Sequence, residues 1–265
     1  MKQAFAFATT TLCMTAALLP LPATAQTAPV ADAWQFSAML YGYFPSIGGK
    51  SNFPFGTGSG VSVDASTILD HLQGGFLGSL EVRKGSWGAF TDVMYLDVGN
   101  SNSGTYVANV GGLQVPVNAN VKLDLKGLVW TLAGTYRAVD SPQVKLDVLA
   151  GARMLDIEQT LDLSGNGVLG LSVNSKLSKT LWDGIVGVKG QVALGDERKW
   201  FIPYYLDVGT GQTDLTWQIM SGIGYSYSWG QVLAGWRYLD YKMKAGEKLE
   251  SVDLNGPMIG VAFHW

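Results

Sequence analysis

The chain of 265 residues holds two histidines, His71 and His264, and one cysteine, Cys13. Covalent catalysis needs a nucleophile within reach of a base, and the local grouping that offers one is Ser66, Thr67, Asp70 and His71. With His71 as general base, such a group near the outer leaflet of a membrane would suit acylation or deacylation of a lipid. The segment Ile68-Leu69-Asp70-His71-Leu72 reads more simply as one short amphipathic turn that packs its leucines onto a larger body and leaves His71 at the surface. Two histidines supply too few ligands for a His-based zinc site, and no Asp/Glu cluster has calcium-loop spacing. Gly56-Thr57-Gly58-Ser59-Gly60 lacks the following Lys of a phosphate loop and reads as loop punctuation. No catalytic residue, metal site or cofactor is therefore expected, and the chain reads as a non-enzyme. The chemistry that remains is ion pairing among acids and bases scattered along the chain.

The elements that position those charges follow from composition and periodicity. Charged residues make up 15% of the chain, with 18 Lys+Arg against 21 Asp+Glu, where a soluble domain carries about 25%. The net charge of -3 offers no basic stripe, so nucleic acid is not an expected partner. Lys2, an apolar run to Leu19 and the small-residue site Ala23-Thr24-Ala25 form a secretory signal. Residues 1–25 are read as the cleaved signal peptide and residues 26–265 as one domain. Cys13 leaves with the signal, and the preceding Thr10-Thr11-Leu12 does not suit a lipidated Cys.

Beyond Ala25 no apolar run approaches the ~18 residues of a membrane helix; the recurring period is two. Leu215, Trp217, Ile219, Ile223, Tyr225 and Tyr227 share one strand face, opposite Asp214, Thr216, Gln218 and Ser226. Residues 181–194 and 76–83 alternate likewise. About ten strands result, with eight and twelve as the neighbouring alternatives, near 34–46, 73–84, 86–99, 119–138, 143–162, 179–194, 199–210, 213–228, 230–244 and 251–265. Tight connections at 84–86, 140–142, 195–198 and 229–230 alternate with long Gly/Ser/Asn-rich ones near 47–72, 100–118 and 163–178, the exception being a short outer connection at Thr210-Gly211-Gln212. This alternation marks an up-and-down transmembrane β-barrel with short turns on the periplasmic side. Trp34, Trp87, Trp200, Trp229 and Trp265 then fall at the periplasmic interface, and Tyr95, Trp182, Trp217 and Tyr238 at the outer one. His264 is on the wrong side for outer-leaflet chemistry. The ending Ile259, Val261, Phe263, Trp265 resembles the terminal assembly signal of Gram-negative outer-membrane barrels.

Further segments, among them Glu81-Val82-Arg83-Lys84-Gly85-Ser86-Trp87-Gly88, Asp92-Val93-Met94-Tyr95-Leu96-Asp97, Gly151-Ala152-Arg153, Asp207-Val208-Gly209-Thr210-Gly211 and Gly235-Trp236-Arg237-Tyr238-Leu239, resemble a group of small uncharacterised proteobacterial outer-membrane barrels. The resemblance spans Trp34 to Trp265; it implies an all-β barrel fold and a place in the outer membrane after secretory export, and brings no activity with it. Parity places Glu81, Arg83, Asp92, Arg137, Asp147, Arg153, Asp183, Lys189, Asp207, Asp214 and Arg237 inside, as a charge-balanced network that mostly fills the lumen. The expected role is structural or surface interaction, with outer-membrane lipid, lipopolysaccharide and the barrel assembly machinery as partners. A narrow porin-like channel or small-solute barrel is the alternative, and an outer-leaflet lipid-modifying enzyme the third reading.

Overall fold

Alternating side chains and frequent β-branched and aromatic residues give antiparallel strands nearly throughout. The computed structural model describes residues 33–51, 59–110, 113–166, 172–247 and 249–265; the signal segment and the start of the Gly-rich run at 56–60 lie outside them. The strands are β1 Trp34–Tyr43, β2 Ser46–Ser51, β3 Ser59–Val63, β4 Leu72–Lys84, β5 Trp87–Val110, β6 Leu113–Asp140, β7 Val144–Asn166, β8 Ser172–Leu194, β9 Trp200–Gly211, β10 Leu215–Ser226, β11 Gly230–Lys242 and β12 Leu249–His264. From β4 to β12 each strand pairs with the next, and β1 pairs with both β4 and β12, so ten strands close a barrel. Past Phe44-Pro45, β2 continues along β12 (Ser46 opposite Asn255) and β3 folds back on it, raising one side of the rim.

Two expectations are corrected. The described residues of the segments near 100–118 and 163–178 are paired strand rather than loop: β5 and β6 pair up to Val110 and Leu113, and β7 and β8 up to Ser164 and Ser172. The Ser, Asn and Gly content of residues 99–105 mimics a loop, while backbone hydrogen bonds extend the strand pairing through it. In the short helix α1, Ala65–Asp70, it is Ile68 that is buried, while Leu69 and Leu72 stay exposed. The opposite end has the expected tight turns, with Gly85 at φ 62° between β4 and β5, a left-handed conformation that glycine adopts without steric cost.

The outward face is apolar: Leu40, Phe76, Leu80, Leu132, Val186, Leu206, Ile219, Ile223 and Ile259 are all exposed. Aromatic rings bound this band at both ends. At the short-turn end Trp34, Phe36 and Trp265 touch in series, Trp87 meets Tyr136, and Trp200, Tyr225, Tyr227, Trp229 and Phe263 form a continuous run. At the other end Trp130 packs on Trp182 and Trp217 on Tyr238. From Trp87 to Tyr95 the chain rises about 21 Å, taking ~3.4 Å per residue and a tilt of ~40°, close to the apolar band of an outer-membrane barrel. One step beyond Tyr95 the outward face becomes ionic: Lys126 pairs with Asp97 at 3.0 Å and Lys176 with Glu158 at 2.6 Å. The hydrogen bond to Asp97 raises the Lys126 ammonium above its ordinary pKa.

Depth along this face should be measurable. Ile219→Lys, between the two rings, should destabilise the barrel by about 2–4 kcal/mol, and Tyr227→Lys, within one ring, by about 0–1 kcal/mol. Reversible folding into lipid vesicles checks this; equal losses would contradict the assigned band.

Candidate functional site

Inward positions carry the charges, and the width of the barrel decides which of them meet. Arg153 on β7 is fully buried. It grips Asp207 of β9 at two points, Nη1 donating to Oδ1 at 2.9 Å and Nη2 to Oδ2, while its Nε donates to Thr131 Oγ1 at 3.2 Å. The pair spans an intervening strand, and β8 makes room with Gly187, whose Cβ, if present, would lie 2.8 Å from that of Asp207. Arg237 on β11 reaches across the lumen to β5, Nη2 donating to Asp92 Oδ1 at 3.0 Å and to Gln218 Oε1 at 2.9 Å. Its Nη1 donates to Tyr41 Oη at 2.9 Å, and the Tyr41 hydroxyl donates to Asp92 Oδ2 at 2.9 Å. Each guanidinium is thus held by a carboxylate and neutral oxygens together, the condition under which a buried charge is tolerated.

A second charged group lies toward the short turns. Arg83 Nη2 donates to Asp147 Oδ2 at 2.6 Å and to Glu81 Oε1 at 2.9 Å. Arg137 Nε donates to the other oxygen of Asp147, and Lys189 Nζ to Glu81 Oε2 at 2.5 Å. Asp183 stands apart from both groups, accepting the Thr213 N–H at 2.9 Å and its hydroxyl at 2.8 Å, which ties the β9–β10 connection to the wall. Asp214, expected inside, is exposed and pairs with Lys242 at 3.2 Å on the rim. The chain turns at residues 212–214, and Thr213, wholly buried, takes the inward place.

Sequence reading missed the neutral members Tyr41, Tyr43, Thr131 and Thr213. The first two were within reach of parity, since Trp34, Phe36 and Leu40 fix the outward face of β1. It also missed a change of layer. Two residues farther toward the long-strand end, Asp92 is succeeded by Met94, Thr131 by Val129, Arg153 by Leu155, Asp183 by Leu181 and Arg237 by Leu239, all buried in one apolar cluster with Tyr43, Tyr241 and Leu254. The lumen is therefore stratified: an apolar layer toward the long strands, then the two arginine clusters, then the Arg83 group.

No family model matches the chain, and no curated protein matches it in sequence. Among solved structures it is similar to Ail, the attachment invasion locus protein of Yersinia pestis, at 13% identity over 88% of this chain and 98% of that one, with a TM-score of 0.35. The translocator domain of the autotransporter NalP from Neisseria meningitidis shares 16% identity over 87% of this chain and 88% of that one, with a TM-score of 0.44. The toluene transporter TodX of P. putida shares 9% over 88% and 90%, with a TM-score of 0.28. Likenesses this distant carry no function across, and the barrel rests on its own strand pairing.

The arginine clusters can be tested by unbalancing one. Arg153→Leu leaves Asp207 buried without its partner and should cost about 3–5 kcal/mol, whereas Arg153→Leu with Asp207→Leu should recover most of that loss. Denaturant unfolding of the lipid-embedded barrel measures both; a double variant no more stable than the single one would mean that the pair is not what sets the cost.

Proposed function

We propose that this chain is a Gram-negative outer-membrane β-barrel with a closed lumen, whose working surface is the sheet that β5 to β8 carry beyond the rim. The two aromatic rings, the apolar band between them, the signal-like first 25 residues and the aromatic final residue support that location. The observation that carries the closed lumen is the apolar layer. An ion entering from either side would have to shed its water among Met94, Leu155, Leu181 and Leu239, all buried against one another. Beyond the Tyr95 ring β5 continues to Val110, roughly 50 Å of strand, and β6, β7 and β8 accompany it. Contacts with lipopolysaccharide, surfaces or other proteins would be made there. The role is non-enzymatic: His71 ends α1 near the long-strand side and His264 lines the opposite mouth, so the two histidines share no site. The barrel assembly machinery is the proposed partner of the final strand, where Trp265 and Phe36 exchange two backbone hydrogen bonds of 2.9 and 3.1 Å and stack their rings.

Refolded protein in planar bilayers should show no stable single-channel current, and a steady current would favour the channel reading instead. Replacing residues 102–121 by a tight turn should leave a heat-modifiable barrel in the membrane but abolish attachment of cells to lipopolysaccharide-coated beads; undiminished attachment would remove the sheet from its assigned role. Trp265→Asp should lower the amount of inserted barrel while secretion continues, measured by heat-modifiability in isolated outer membranes, and unchanged insertion would speak against the terminal signal.

A further inference from the structure

The apolar layer seals one half of the lumen and leaves the other open. Between the arginine clusters and the short-turn mouth lies a cavity of about 660 Å³, within the ~300–1,000 Å³ range of small-molecule sites. Lys145, His264 and Trp265 line it and are exposed, so it communicates with the solvent on that side. Its walls differ in chemistry. On β4, β6, β7 and β8 it is lined by Arg83, Arg137, Lys145 and Lys189 with the acids Glu81 and Asp147; on β1, β10, β11 and β12 it is lined by Met39, Met220, Leu233 and Met258, with Gln218, Gln231 and Arg237 beside them.

The acids do not satisfy the cations. Asp147 is shared by Arg83 and Arg137, and Glu81 by Arg83 and Lys189. Arg137 has a further partner, Asp140, which is half exposed on the turn. Lys145 makes no ion pair among the described residues, and Nη1 of the buried Arg83 has no hydrogen-bond partner. Arg237 and Asp92, paired with each other, also line the cavity; with Asp140 as a fourth acid beside the three in the lining, Lys145 is the one of five cations left over, and the low-dielectric walls focus its positive potential toward the mouth. The methionines opposite form a soft apolar surface that adapts to varied shapes.

We infer that this cavity binds a small organic anion with an apolar body, its carboxylate among Lys145, Arg137 and Lys189 and its body on the methionine wall. An inorganic anion would leave the methionine wall in contact with water, and a neutral apolar ligand would leave the excess charge unanswered. The ligand would enter from the short-turn side, so this site is independent of the sheet assigned to surface contacts, and the failure of either reading leaves the other standing.

The test uses the full mature barrel in lipid nanodiscs with 13C-methyl methionine, titrated with 3-phenylpropionate and with the neutral 3-phenylpropionamide. The acid should shift the Met39, Met220 and Met258 signals saturably and leave Met94 and Met243, in the apolar layer, unchanged. The amide should bind about ten-fold more weakly, the loss of one strong ionic contact. Lys145→Glu should weaken the acid by at least a comparable factor without altering the amide; Lys145 is exposed, and unchanged Met94 and Met243 signals would report an intact fold. Equal binding of acid and amide, an acid response spread to Met94 and Met243, or no saturable shift would each overturn the proposal. Unchanged acid binding by a folded Lys145→Glu variant would overturn it too, and should that variant fail to fold, the acid and amide titrations of the unmodified protein decide.

Discussion

Backbone pairing across the β1–β12 seam is the constraint on which the rest depends. A ten-strand wall has no free edge in its apolar band only because Ser37 to Tyr43 pair with His264 to Met258, and the Phe36 and Trp265 backbones close the last rung. In hydrocarbon every unpaired N–H or C=O costs several kcal/mol, so such a wall closes completely or does not stand. Closure also fixes which face each side chain takes. A slip of one residue on β9 would turn Leu206 into the lumen and Asp207 outward, which exchanges an apolar contact for a charge in lipid. Apolar exterior and charged interior are thus two results of one register.

The charges inside strengthen that register more than they add to net stability. Buried ion pairs recover about what desolvation costs them, but breaking one leaves a lone charge that costs more. Arg153 meets Asp207 across Gly187, and Arg237 meets Asp92 across the whole lumen, so each pair reports on strands that are not neighbours in the sheet. Displacing any one of these strands by one residue would unmake the pair to which it contributes. The apolar layer above them excludes water on one side and so raises the penalty for a wrong pairing, which makes the two layers mutually reinforcing.

Much of this was legible in the sequence, and for a physical reason. A strand that is apolar outside and polar inside writes its orientation every second residue, so the faces of 215–227, 181–194 and 76–83 could be read directly, as could the rings of Trp and Tyr. What parity cannot supply is the partner. Nothing in the spacing says that Arg237 meets Asp92 at a sequence distance of 145 residues rather than a nearer acid. Parity also fails where both faces are alike: inward Met94 lies between Val93 and Tyr95, and inward Leu155 and Leu239 follow outward Met154 and Tyr238, which blurs the alternation and hid the apolar layer. Beyond the Tyr95 ring, Ser, Asn and Gly on both faces of residues 99–105 removed the signal from β5, although 113–125 keeps a period of two, and paired strands passed for loops. Asp214 was misplaced for a local reason, a turn that exchanges inward and outward positions at Thr213.

The long strands bring an obligation that the barrel itself escapes. Above the rim β5 and β8 lose their outer neighbours, since β4 begins opposite Val98 and β9 ends opposite Asp183, so among the described residues the projecting sheet has two open edges. An open edge invites pairing with another chain, and proteins commonly guard such edges with lysine. The β8 edge carries Lys176 and Lys179, and the pairing of Lys179 with Glu247 ties it to the β11–β12 connection. The β5 edge, from Asn100 to Val110, has no charged residue at all. The two edges are therefore not equivalent: the one nearer the β11–β12 connection is guarded by charge, and the other leaves its backbone donors and acceptors without that protection. A surface that only had to stay soluble would gain from lysine on both sides, so the uncharged β5 edge is the part of the sheet where the proposed contact role would place the stronger demand on sequence.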